Sequence, residues 1–140
     1  MRFQLITLNG AKFDEQVYEV VLPTADGRIT VLPNHMPLVT IAMPGVIAVR
    51  HKAGDSDEKL DHFATEGGII EVNPEGVRIL VDEASHSSEI HEDEAQKALA
   101  RALELQEQAK DKVALDEAQA LIDRAQVRLQ VASLRRRRKQ

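Results

Sequence analysis

Val77-Arg78-Ile79-Leu80-Val81-Asp82-Glu83-Ala84-Ser85-His86-Ser87-Ser88-Glu89-Ile90-His91-Glu92-Asp93-Glu94-Ala95 is the stretch in which this sequence changes character. All seven glycines and all five prolines precede Val77, and residues 77–140 contain neither. Both residue types are costly inside helices and mark the turns between short strands. The chain therefore reads as a turn-rich β module over residues 1–86. A helical arm rich in Ala, Leu and Gln follows over residues 87–140.

Upstream of the change, apolar or alternating runs predict strands at residues 3–8, 17–22, 29–32, 38–42, 46–50, 60–64, 69–72 and 77–81. Turn signals separate them: Asn9-Gly10, Ala25-Asp26-Gly27-Arg28, Pro44-Gly45, Gly67-Gly68 and Asn73-Pro74-Glu75-Gly76. About eight to ten short strands at this spacing favour a sandwich or barrel. Pro33-Asn34-His35-Met36-Pro37 is a loop stiffened by two φ-locked residues, and rigid loops on β scaffolds carry function.

Downstream, Ala95, Ala98, Leu99, Ala102, Leu103, Gln106 and Ala109 fall on one helical stripe. Ala118, Leu121, Ile122, Ala125, Leu129 and Ala132 fall on another. The arm is expected to start near Glu89–Asp93, where acids in the first turn complement a helix N-terminus. The one candidate break is residues 111–116, because Asp can cap a helix. Alanine buries little area, so docking of the arm rests on Leu99, Leu103, Leu121, Ile122 and Leu129. An arm held this weakly is a candidate switch.

Composition excludes several chemistries. With no cysteine there is no thiol nucleophile, disulfide or thiolate metal site. No apolar run reaches the ~20 residues of a membrane span, which predicts no direct membrane insertion. There is no Gly-x-Ser-x-Gly, Walker A or Gly-x-Gly-x-x-Gly motif. The spacing of His86 and His91 does not set two imidazoles on one helical face, so no metal is expected. The net charge of −5 argues against a general nucleic-acid binder. The block Arg135-Arg136-Arg137-Arg138-Lys139 exceeds what the helix dipole asks for, and an acidic protein surface is its expected partner. Residue chemistry alone leaves open a free-standing β-sandwich and coiled-coil adaptor, a small hydrolase built on the histidines, and a nucleic-acid binder through the basic tail.

Four segments, in order, narrow this. Leu32-Pro33-Asn34-His35-Met36-Pro37-Leu38-Val39-Thr40, Pro44-Gly45-Val46-Ile47, Gly67-Gly68-Ile69-Ile70-Glu71-Val72 and Val77-Arg78-Ile79-Leu80-Val81-Asp82-Glu83-Ala84 resemble the epsilon subunit of F-type ATP synthases. The resemblance covers essentially the whole chain. It implies a mixed β plus α fold, an N-terminal ten-stranded β-sandwich followed by a C-terminal α-helical hairpin. It implies a non-catalytic rotor subunit of the central stalk that couples proton translocation to ATP synthesis. Its partners would be the gamma subunit and the c-ring, and the alpha/beta head when the arm extends to restrain ATP hydrolysis. It would sit peripherally on the cytoplasmic face of a bacterial plasma membrane. Asp26, Gly27, Arg28, Asn34, His35 and Met36 are the expected rotor contacts. Arg135, Arg136, Arg137 and Arg138 are expected to meet an acidic surface. Some bacterial relatives bind ATP through an Ile/Leu-Asp-x-x-Arg-Ala motif. Here the matching stretch is Ile90-His91-Glu92-Asp93-Glu94-Ala95, with His91 for the Asp and Glu94 for the Arg. A carboxylate facing phosphate is repulsive, so no nucleotide site and no cofactor are expected.

Overall fold

The computed structural model describes residues 1–138. Lys139, the last residue of the basic block, lies outside them. Ten strands form the first part: β1 (Arg2–Thr7), β2 (Gly10–Gln16), β3 (Glu19–Thr24), β4 (Gly27–Val31), β5 (Leu38–Ala42), β6 (Gly45–Arg50), β7 (Asp61–Thr65), β8 (Gly68–Asn73), β9 (Gly76–Val81) and β10 (Ala84–His86). They make one ten-stranded sheet in the order β10-β7-β6-β3-β5-β8-β9-β1-β2, with β4 paired to β3 off that path. The sheet curls into a sandwich that is nearly a barrel. Two strands escaped the sequence pattern, β2 and β10. β2 is an edge strand with one half-buried residue, Phe13, and β10 is three residues in a serine-rich stretch.

Alternation does the sorting. Phe3 and Leu5 point inward from β1 while Arg2 and Gln4 face out. With Leu22, Ile47, Phe63, Ile70 and Ile79 they form the closed core. Every strand pairing is antiparallel except β1 with β9. That parallel contact is close. Gly76 has φ +152°, and a Cβ there would lie 1.9 Å from the Arg2 carbonyl oxygen, so only glycine fits.

A 3-10 turn at Ser87–Glu89 leads into α1 (Glu92–Gln108) and α2 (Lys112–Arg138). His86 closes a capping box there: its ring accepts the Ser88 N–H, and Glu89 accepts the His86 N–H. α1 begins at Glu92, and Glu92, Asp93 and Glu94 fill its first turn. The break between helices is three residues, 109–111, rather than 111–116. Asp111 is the capping residue: its Oδ1 accepts the Ala114 N–H at 2.8 Å. Residues 112–116 are already helical, since nothing after that cap interrupts the ladder.

The two helices bury mostly alanine, with Ala95 and Ala102 on α1 and Ala118, Ile122 and Ala125 on α2. α2 is ten residues longer than α1, and its overhanging end docks on the sandwich. There Val131 and Ala132 pack with Val46, Ala64 and Ile90, flanked by Val127 and Leu134. This corrects the expected set of docking leucines. Leu103 and Leu121 are exposed, and Ile122 serves the helix-helix seam. The valines that hold the arm lie on the overhang, off the alanine stripe.

Candidate interaction surfaces

The two outer faces of the sheet differ. One face, over β3, β6 and β7, carries Val21, Ala48 and His62 in register, and the end of α2 lies over it. On the other face, Ile41 of β5 pairs with Ile69 of β8, Ile69 with Leu80 of β9, and Leu80 with Ile6 of β1. Ile41 is 62% exposed, Ile69 52% and Leu80 43%, and Val39 beside them is 71% exposed. Four strands thus present an aligned apolar row to solvent. A polar row borders it, in which Arg78 reaches Glu71 at 3.9 Å and Gln4 at 3.4 Å. An apolar centre with a polar border is the anatomy of a protein interface. The sequence holds a sign of this face: β5, β8 and β9 are apolar on both sides where a solvated strand would alternate.

The expected rotor contacts divide into two separate places. Asp26 lies in the turn between β3 and β4 and Gly27 and Arg28 open β4, all three exposed. Gly27 sits at φ +111°, and Thr24 Oγ1 donates to its carbonyl at 2.6 Å. Asn34, His35 and Met36 lie beyond the opposite end of β4, about 13 Å along the strand at ~3.3 Å per residue. Asn34 takes φ 67°, which Asn tolerates. His35 Nδ1–H donates to the Met36 carbonyl at 2.7 Å, and the Met36 side chain is exposed. The structure therefore does not bring the six residues together. Arg28 instead lines a cleft beneath the end of α2.

The arginine tail is engaged within the chain. Arg135 donates to the Ser87 carbonyl at 2.6 Å, Arg136 reaches Glu92 at 3.4 Å, and Arg138 reaches Asp61 Oδ1 at 3.3 Å. Arg137 lines the same cleft as Arg28 and has no ion-pair partner among the described residues. Asp61 is a hub, bonded also by His51 at 2.7 Å and His86 at 3.4 Å. Burial pushes its carboxyl up, but the hydrogen bonds and charges of the two histidines together hold it below the usual carboxylate value.

Between α1, α2 and the turn before them lies a cavity of about 350 Å³. Alanines and leucines form its walls, and Arg101, Arg124, Arg128, Glu94, His91 and Glu89 supply its charge. His91 and Glu94 belong to the stretch matched above to the nucleotide motif, whereas neither helical stripe includes Arg101 or Arg128. Arg124 is taken up by Glu66 at 2.8 Å and Glu83 at 2.6 Å, and Arg128 by Ser85 at 3.2 Å. Burial raises the Glu66 carboxyl against the pull of Arg124, and Glu83 raises it further. The structure does not bring His86 and His91 together as a metal pair: His86 turns to Asp61 and Ser88, while His91 lines the cavity. Among the described residues no helix is long and apolar enough to cross a membrane.

A curled ten-stranded sheet carrying a helical hairpin defines a fold with known relatives. Residues 1–87 match the model of the ATP synthase delta/epsilon chain β-sandwich domain. The epsilon chain of Herpetosiphon aurantiacus is 36% identical over 138 residues, which is 99% of this chain and 98% of that one. That of Rhizobium meliloti is 36% identical over 88 residues, 63% of each chain. A chain in the solved Euglena gracilis mitochondrial ATP synthase superposes with a TM-score of 0.78 at 26% identity, over 94% of this chain and 79% of that one. One from the central stalk and c-ring of Tetrahymena thermophila mitochondrial ATP synthase gives 0.65 at 14% identity, which speaks to the fold alone. The chain belongs to the ATP synthase epsilon-chain family. It is an accessory chain of that assembly and not a catalytic one.

Proposed function

We propose that this chain is a rotor subunit of the central stalk, seated between a gamma subunit and a c-ring, and that it helps couple proton translocation to ATP synthesis. The observation that carries this reading is the uncovered apolar row Ile41–Ile69–Leu80. Its own hairpin covers the opposite face, so the row is the surface left for a stalk partner. We assign the row to gamma. The loop at Asn34, His35 and Met36 is assigned to the c-ring, since it stands at a strand end with an exposed methionine. The Asp26–Gly27–Arg28 turn belongs to a second rotor contact at the other end of β4. The assembly would hold the chain peripherally at the cytoplasmic face of a bacterial plasma membrane.

The hairpin is the regulatory part of this proposal. Its seam is alanine and its hold on the sandwich is a few aliphatic side chains, so release costs little enough for a partner to reverse. Extended towards the alpha/beta head, it restrains hydrolysis, and its arginines exchange their present contacts for an acidic surface there. Residues 1–86 are the unit that stays behind. The test is reconstitution with gamma: residues 1–88 should fold and bind it, and failure of either would end the two-part reading.

A further inference from the structure

We propose that the docking of the hairpin on the sandwich is sensed by pH through His62, which sits under the end of α2 and favours release when it is protonated. This rests on the reading that the hairpin leaves the sandwich.

His62 lies on β7, half-buried, opposite Ala48 of β6. It lines a cleft roofed by Gln130, Leu134, Arg137 and Arg138 of α2. The charges facing it are mostly of one sign. Arg28 comes from β4, Arg137 and Arg138 from α2, and His86 from β10. The one carboxylate beside it is its neighbour Asp61, and that group is already shared among His51, His86 and Arg138. Glu19, Asp57 and Glu58 also line the cleft. Glu19 and Asp57 are bound to Arg50 at 3.4 and 2.7 Å, and Glu58 borders the same turn. A proton on His62 would therefore add to the positive charge of Arg28, Arg137 and Arg138, against which the cleft sets the shared Asp61 and one carboxylate, Glu58, without an ion-pair partner among the described residues.

The shift follows that geometry. Burial lowers His62 below its ordinary value of 6.5. Asp61 pulls it back, and Arg138, Arg28 and His86 lower it further. Part of the burial and the Arg138 charge arrive only with α2. The docked state thus binds the proton more weakly than the undocked state. By linkage, docking is full above about pH 6.5 and is lost as pH falls below it, towards the depressed docked value. A drop in pH acts as a ligand of the released arm.

The chain has no cysteine, so two can be introduced for labels at exposed sites, Ala53→Cys on the sandwich and Gln126→Cys on α2. Label-to-label distances would be recorded on the full chain between about pH 8 and pH 5.5. The docked-to-released ratio should fall about threefold or more across that range. His62→Gln should flatten the dependence, while His35→Gln, at a loop residue whose ring bonds only the Met36 carbonyl, should not. In the native chain, the His62 ring resonance should titrate below the ordinary histidine value and move upward in Arg138→Gln. A dependence unchanged by His62→Gln overturns the sensor and leaves the mobile arm intact. A distance fixed at every pH in both chains overturns the sensor and the two-state arm together. If His62→Gln fails to fold, the native-chain titration decides alone, and a His62 resonance at or above the ordinary value sinks the proposal.

Discussion

Arg138 and Asp61 are 77 residues apart in sequence and 3.3 Å apart in space. This pair ties the last described turn of the arm to the first residue of β7, next to the histidine that opens the capping box. The Asp61 carboxyl is held below its ordinary value, so its contribution is present above about pH 3.8 and lost as pH falls through the depressed value. Asp61→Asn should therefore weaken the acid dependence of unfolding in that region, read by circular dichroism against pH. An acid limb identical to that of the native chain would show that the hub contributes nothing.

Charge placed on the open row should act on association and not on folding. Ile41→Asp or Ile69→Asp should lower affinity for gamma at least tenfold, about 1.4 kcal/mol. Both side chains are already exposed, so thermal stability should change by no more than about 0.5 kcal/mol. Titration calorimetry and melting of the same preparations check both halves. Unchanged affinity would move the stalk contact elsewhere.

The arginines should separate by sign. The part-buried bond from Arg135 to the Ser87 carbonyl outweighs one exposed pair made on extension, so Arg135→Ala should favour extension and lower ATP hydrolysis by the assembled complex. Arg137 has no ion-pair partner in the docked form among the described residues, so Arg137→Ala acts chiefly on the contact made on extension and should raise hydrolysis. Each exposed pair is worth about 0–1 kcal/mol, so neither change should exceed about fivefold. Both should shrink at high salt. Two variants moving the same way would contradict the exchange of partners.

The cavity between the helices predicts a nucleotide response that is absent and can be installed. Two of its three arginines are engaged, and Glu94 sets a carboxylate on the wall. ATP at millimolar concentration should not compact or stabilise the native chain, while Glu94→Arg should bind measurably. Stoichiometric ATP binding by the native chain in calorimetry would refute the reading of His91 and Glu94 as a lost motif.

Legibility followed from how each residue's surroundings write themselves into the pattern. Strands buried on one face alternate, so β1, β3 and β9 were readable. β2 has only Phe13 to bury and leaves no period, and β10 is too short to have one. Glycine and proline located the change from sheet to helix because both obey local backbone rules. The docking of α2 depends on which turn overhangs α1, a length difference that no stripe records, and so Val131 and Leu134 were missed. The loop residues Asn34 to Met36 and the turn Asp26 to Arg28 were legible as turns. That they stand at opposite ends of β4 was not, because it follows from pairing with β3.

The parallel contact between β1 and β9 bears on the order in which this chain can fold as it leaves the ribosome. β1 finds β2 at once, across a short turn, but its other neighbour is made some seventy residues later. Until β9 has emerged, one edge of β1 stays open, and the Phe3–Ile79 side of the core has no closing wall. Long-range pairing of this kind is slow, whereas a helical hairpin forms from local contacts. Synthesis therefore delivers the fast-folding element last, after the slow one has its final strand. The overhanging valines meet a finished sheet, and the nascent sandwich passes through its most aggregation-prone stage before any part of the arm exists to cover it.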